Sequence, residues 1–130
     1  MLSNLDAIPE YEASTNKELQ KENPINVELT LDELREFDGT DSHKPVYVAI
    51  NGVIYDVTCK RHLYALGKGY HILAGRECAR ALAKGCLTED MCSNELNDLN
   101  DEEFDTLKDW ETYYNRSYPN VGRVVYAHIK

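Results

Sequence analysis

The 130-residue chain is 42% apolar and 28% charged, with seven glycines and four prolines. That balance suits one soluble globular domain and excludes collagen-like, low-complexity and wholly disordered chains. With 14 basic against 23 acidic side chains and a net charge of −9, it lacks the basic surface that a dedicated nucleic-acid binder needs.

Residues 1–26 mix polar and charged side chains with scattered Leu5, Ile8 and Tyr11, and no period buries a face, so the reading is a flexible polar tail. The tail has neither the apolar core of a secretory signal nor an arginine-rich transit pattern, which makes the cytoplasm the default compartment. The domain itself is expected over 27–126, with a short C-terminal tail at 127–130. Thr30-Leu31-Asp32-Glu33 reads as a capping box that opens a short helix. The apolar stripe of that helix is Leu31, Leu34 and Phe37, and Gly39 stops it.

Val46–Ile50 and Val53–Val57 are β-prone runs joined by Asn51-Gly52, the signature of a two-residue hairpin turn. The longest apolar stretches, such as Val46–Ile50 and Val53–Tyr55, fall far short of the roughly 20 residues of a membrane span, so no transmembrane segment is expected. From Lys60 to His71 the sequence reads as a loop with Gly67 and Gly69, on which His62, Tyr64, Tyr70 and His71 gather. Phenol and imidazole both ligate iron.

An alanine-rich helix is expected over Arg76–Lys84, ended by Gly85, and a short acidic helix over 88–94. A long helix follows from the Asn100 cap, with Phe104, Leu107, Trp110 and Tyr114 at core spacing and Pro119 at its end. Residues 121–129 are expected to return as a closing strand. Residues 88–112 hold ten acidic side chains against one basic, which fits either a solvated face or a docking rim for a basic partner. Cys59, Cys78, Cys86 and Cys92 form no CxxC pair and lack zinc-finger spacing, and reduced thiols are the expectation. No nucleophile elbow, phosphate loop or hydrolase triad signature is present, so the chain is read as a non-enzyme.

Several motifs together carry a resemblance. They are Pro45-Val46-Tyr47-Val48-Ala49, Val53-Ile54-Tyr55-Asp56-Val57-Thr58, Leu63-Tyr64, Gly69 through Glu77, Arg80-Ala81-Leu82-Ala83, Leu107 through Glu111, and Tyr118-Pro119-Asn120-Val121-Gly122. In this order, over roughly 27–125, the chain resembles the membrane-associated progesterone receptor family, a branch of the cytochrome b5-like haem- and steroid-binding domains. The resemblance implies an α+β, cytochrome b5-like fold, a small mixed sheet with helices enclosing a haem pocket, and haem b (iron protoporphyrin IX) as cofactor. The His-Pro-Gly-Gly motif of ordinary cytochrome b5 is absent.

The resemblance further implies that the Tyr70 phenolate holds the iron, that Tyr64 hydrogen-bonds nearby and that Tyr118 lies close to the haem. The lysine that relatives carry before this last tyrosine is Ser117 here, leaving Lys68 or Arg116 as the available cation. Leu66, Ile72, Leu73, Ala79 and Leu82 fit either core or haem face, and Lys68, Leu73, Ala79 and Leu82 are counted with Tyr64, Tyr70 and Tyr118 as cofactor-binding. A ferric ion stabilises a phenolate against its ordinary pKa of about 10, which suits haem carriage better than rapid electron shuttling. His71 is expected to point away from Tyr70, and His62, His43 and His128 to lie at the surface.

The expected function is a haem carrier or regulator of haem-thiolate monooxygenases in sterol metabolism. It would be cytoplasmic, or peripheral at the endoplasmic reticulum through a partner, and could form a haem-dependent homodimer. Two alternatives stand beside it: a bis-histidine electron carrier using His62 and His71, and a haem-free steroid- or lipid-binding adaptor.

Overall fold

The structure, a computed structural model, describes residues 26–126. The expected tails, except Asn26, and His128 lie outside the described residues. Four strands form one mixed sheet in the order β1-β4-β3-β2: β1 (Val27–Leu29), β2 (Tyr47–Ile50), β3 (Val53–Asp56) and β4 (Asn120–Val124). β2 and β3 make the antiparallel hairpin, β3 pairs antiparallel with β4, and β1 pairs parallel with β4. The hairpin turn is built as its residues dictate, with Asn51 at φ +51° and Gly52 at φ +87°.

All four residues of β2 are buried because both faces of the sheet are covered. Val48 and Ile50 face the larger core with Tyr55, Leu82 and Trp110, whereas Tyr47 and Ala49 face a smaller one with Leu34, Ile54 and Val121. The smaller core is closed by α1 (Leu31–Leu34), whose Thr30–Glu33 capping box is formed as expected. A 3₁₀ turn at Arg35–Phe37 extends it. Gly122 permits the parallel β1–β4 contact, since a Cβ there would lie 2.0 Å from the Val27 carbonyl oxygen.

The larger core lies under α2 (Arg61–Tyr64), α3 (Ala79–Lys84) and α4 (Asp101–Ser117). Several expectations need correction. The segment read as a loop contains α2 and 3₁₀ turns at Thr58–Lys60 and His71–Leu73. α3 starts three residues late because Ala49 bonds to Arg76 O and Cys78 N to Ala49 O, which holds Arg76–Cys78 beside β2 as an extended bridge. The closing strand runs over Asn120–Val124 rather than on toward Ile129, since its register is set by β1 and β3.

The long helix begins at Asn100 with a complete capping box to Glu103. Phe104, expected in the core, is 45% exposed, whereas Leu107, Trp110 and Tyr114 from the same stripe are buried. The first turn is tied to α3 by the Lys84–Glu103 ion pair at 3.1 Å. The short acidic helix is a 3₁₀ turn at Glu89–Met91.

Candidate functional site: a buried tyrosine cluster

Three segments bring five tyrosines together. α2 ends on Tyr64, and the next turn is tied back by Tyr70 N donating to Leu63 O at 3.0 Å. The inward face of α4 supplies Trp110, Tyr113 and Tyr114, and Tyr118 follows as the residue that closes the helix, its N–H donating to Tyr114 O at 2.9 Å. A 3.6-residue period puts 110, 113 and 114 on one stripe, so the Tyr-Tyr pair and the tryptophan necessarily share the core face.

The rings pack at 5.6 Å for Tyr64–Tyr70, 5.1 Å for Tyr114–Tyr118, 5.8 Å for Tyr113–Tyr114 and 6.1 Å for Trp110–Tyr114. The Tyr64 and Tyr114 hydroxyls lie 2.5 Å apart, hydrogen-bonded to each other in full burial. Burial in an apolar surround pushes the phenol pKa of Tyr64, Tyr114 and Tyr118 well above its usual value, and that of Tyr113 upward. These four phenols are therefore neutral at physiological pH and carry their protons.

Among the described residues, the buried polar side-chain atoms without a hydrogen-bond partner are Tyr70 OH, Tyr113 OH, Tyr118 OH, Trp110 Nε1 and Arg61 Nη1. Four of the five belong to this cluster, and an unpaired buried polar atom costs about 1–3 kcal/mol. A ligand bound here would supply the missing partner. Oxygen donors on a half-buried, aromatic-walled segment fit ferric haem: a phenol that can become a phenolate, flanked by flat rings. The cleft of ≈ 230 Å³ lined by Leu31, Arg35, Arg76 and Cys92 shares no residue with the cluster.

Of the residues expected at the site, Tyr64, Tyr70 and Tyr118 come together. Leu73, Ala79 and Leu82 are 0% exposed, packed behind the tyrosines in the same core. Lys68 is exposed on the Gly67–Gly69 loop, and the Arg116 guanidinium lies 5.9 Å over the Tyr113 ring. Ser117 is buried. Leu66, read as core or lining, is 70% exposed, carried outward on that same loop. His71 Nδ1 bonds to the Tyr64 backbone carbonyl at 3.0 Å, and the ring lies close enough to Asp38 to help hold that carboxyl below its usual value. The turn is 3₁₀ rather than the extended backbone assumed for it. His62 is exposed. Tyr113 was missed and Tyr114 was read as core alone; the signal for both was the Tyr-Tyr pair one turn beyond Trp110.

A mixed four-stranded sheet whose helices enclose a ring-walled site beside the hairpin defines a cytochrome b5-like binding domain. A solved structure of an Arabidopsis thaliana protein, described as having a cytochrome b5-like fold, superposes with a TM-score of 0.72 at 42% identity, over 79% of this chain and 94% of that one. The chain belongs to the cytochrome b5-like haem/steroid-binding domain family, which matches residues 30–124. It is 43% identical over 99 residues to "Probable steroid-binding protein 3" of Arabidopsis thaliana, covering 76% of this chain and 99% of that protein. It is also 40% identical to Membrane steroid-binding protein 1 of the same plant, covering 80% of this chain but 48% of that longer protein. The family and fold implied by the motifs are borne out. No helix among the described residues is long and apolar enough to cross a membrane.

Proposed function

We propose that this chain binds haem b with Tyr70 as the iron ligand and acts as a haem carrier or regulator toward haem-thiolate monooxygenases of sterol metabolism. The observation that carries this reading is the buried Tyr70 hydroxyl, which has no protein partner although the Tyr64 ring packs against its own at 5.6 Å. Ferric iron, when bound, supplies a cation that favours phenolate over phenol.

The chain's residues divide the remaining work. Tyr64 and Tyr118 offer hydrogen-bond donors beside the ligand oxygen. Leu73, Ala79 and Leu82 form the apolar floor that keeps water from that oxygen. Lys68 and Arg116 are the cations near the rim for the haem carboxylates, in place of the lysine replaced by Ser117. A phenolate favours ferric over ferrous iron, which suits storage and delivery rather than electron transfer. Haem-dependent pairing of two copies belongs to the same proposal. Action in the cytoplasm, or at the endoplasmic reticulum membrane through a partner, belongs to the same proposal, as does steroid binding, for which the relatives above are named.

The test is titration of the purified protein with hemin. One-to-one saturation with a high-spin ferric spectrum, lost in Tyr70→Phe, is the expected result. A low-spin spectrum that survives the substitution would point to the histidine-ligated carrier. Absence of saturable binding would leave the haem-free steroid- or lipid-binding adaptor.

A further inference from the structure

Two of the four cysteines meet in the fold. Cys78 immediately precedes α3 and is 0% exposed, whereas Cys92 is half-buried and lines the cleft that also holds Arg35 and Arg76. A disulfide needs neighbouring backbones and sulfurs that face each other. Arg80 N donates to Ser93 O at 2.9 Å, which joins the two segments just after Cys78 and Cys92. Cys78 Sγ lies 3.4 Å from Leu73 O and Cys92 Sγ lies 3.7 Å from Ile72 O, so the sulfurs rest on consecutive carbonyls of one 3₁₀ turn. Cys92 packs against the buried core that contains Cys78, and the two side chains are hydrogen-bonded to each other.

The two thiols differ in environment. The hydrogen bond from Cys78 lowers the Cys92 pKa, and the Arg76 guanidinium acts in the same direction against desolvation. Burial pushes the Cys78 thiol well up, so it keeps its proton. A thiolate-prone sulfur open to a cleft, backed by a second thiol that can resolve it, is the arrangement on which peroxide oxidation is selective.

We propose that Cys92 and Cys78 are an oxidation site for hydroperoxides, Cys92 reacting first from the cleft and Cys78 closing an intrachain disulfide. The Cys92 thiolate attacks one peroxide oxygen. An S–O bond forms, the O–O bond breaks, and the other oxygen leaves as hydroxide or alkoxide, taking up the proton that Cys92 gave to solvent. The Cys78 sulfur then attacks the sulfenic sulfur. The S–S bond forms, the S–O bond breaks, and the oxygen departs as water with the Cys78 proton. Two thiols are thereby oxidised and one peroxide is reduced. The disulfide withdraws both S–H groups from Ile72 O and Leu73 O and ties the wall of the cleft to the start of α3. None of these steps requires haem, and the proposal is independent of the Tyr70 assignment.

The experiment treats the ligand-free full chain at pH 7 with one equivalent of hydrogen peroxide. The remaining thiols are alkylated in urea, and the digest is read by mass spectrometry. The expected product is a chain that has lost two hydrogens, with Cys78 and Cys92 in one linked peptide and the exposed Cys59 and Cys86 alkylated. In Cys78→Ala, dimedone labels Cys92 as the sulfenic acid. In Cys92→Ala, the buried Cys78 is recovered as a thiol. Urea midpoints verify that both variants fold, and the parent digest is decisive without them.

Recovery of Cys92 as a thiol after Cys59 or Cys86 has been oxidised would overturn the proposal. So would a linked peptide joining any other pair, or a Cys92 sulfenic acid that persists in the parent chain while Cys78 is alkylated.

Discussion

The Glu77 carboxylate closes the hairpin turn at Gly52, accepting its N–H at 2.7 Å across 25 residues of sequence. The same carboxylate accepts from Asn51 N at 2.8 Å and Ala79 N at 2.9 Å, so one side chain joins the β2–β3 turn to the start of α3. It is only 3% exposed, and burial raises its pKa despite the three N–H donors, each of which acts to lower it. Replacing Glu77 by Ala leaves the Ala79 N–H unpaired in the core and frees the turn. The expected loss is about 2 kcal/mol of stability, read as a lower urea midpoint with an unchanged slope.

Gly122→Ala is predicted to unpair β1 from β4. The added Cβ meets Val27 backbone at 2.0 Å, and neither strand can yield without losing its register. Overpacking of this kind costs about 1–3 kcal/mol. Amide exchange is expected to quicken at Val27–Leu29 and Val125, whose N–H donates to Leu29 O, while the β2–β3 ladder stays protected.

The buried phenols predict how the ligand-free fold fails in alkali. Burial raises the Tyr55 pKa to about 12 and those of Tyr47, Tyr64, Tyr114 and Tyr118 above the ordinary value. In the unfolded chain each ionises near about 10. Above that pH the unfolded state has lost protons that the folded state keeps, so stability falls as pH rises. The absorbance of these buried phenolates is expected to appear in one cooperative step together with loss of the circular dichroism signal, above the gradual titration of exposed tyrosine such as Tyr126. Full phenolate absorbance by pH 11 with the fold intact would contradict this account of the cluster.

At the acidic end, the Arg80 guanidinium holds Asp98 by two hydrogen bonds of 2.6 and 3.0 Å and lowers its pKa to about 2. With the folded pKa below the unfolded one, any stability from the pair is present above the ordinary value of 3.8 and is lost as pH falls toward 2. The pair is exposed, so its stabilising effect is small. Carboxyl NMR titration is expected to find the Asp98 midpoint near 2 in the parent and close to the ordinary value in Arg80→Ala.

What the sequence reveals, and what it hides, follows from the range of the forces involved. The Asn51-Gly52 turn and the capping boxes at Thr30 and Asn100 are set within four residues, and they form as read. The start of α3 is displaced because Glu77 and its neighbours satisfy backbone groups on β2, which no local pattern encodes. α2 escaped notice because a single turn has almost no intrinsic stability and exists here through packing of Leu63 and Tyr64. At the site, Tyr64, Tyr70 and Tyr118 were legible through their motifs. Tyr114 looked like one more apolar position of the Leu107–Trp110 stripe, because periodicity reports which face is buried and not what its hydroxyl meets. Phe104 shows the converse: it keeps the stripe's spacing but stays 45% exposed.

The central claim is that the Tyr70 oxygen binds ferric haem, and resonance Raman spectroscopy of the hemin-loaded protein, excited in the charge-transfer band, tests it most directly. The account predicts five-coordinate high-spin marker bands with enhanced tyrosinate modes that shift when the tyrosine rings are deuterated and vanish in Tyr70→Phe. Six-coordinate low-spin bands without tyrosinate enhancement, unchanged in Tyr70→Phe, would contradict it.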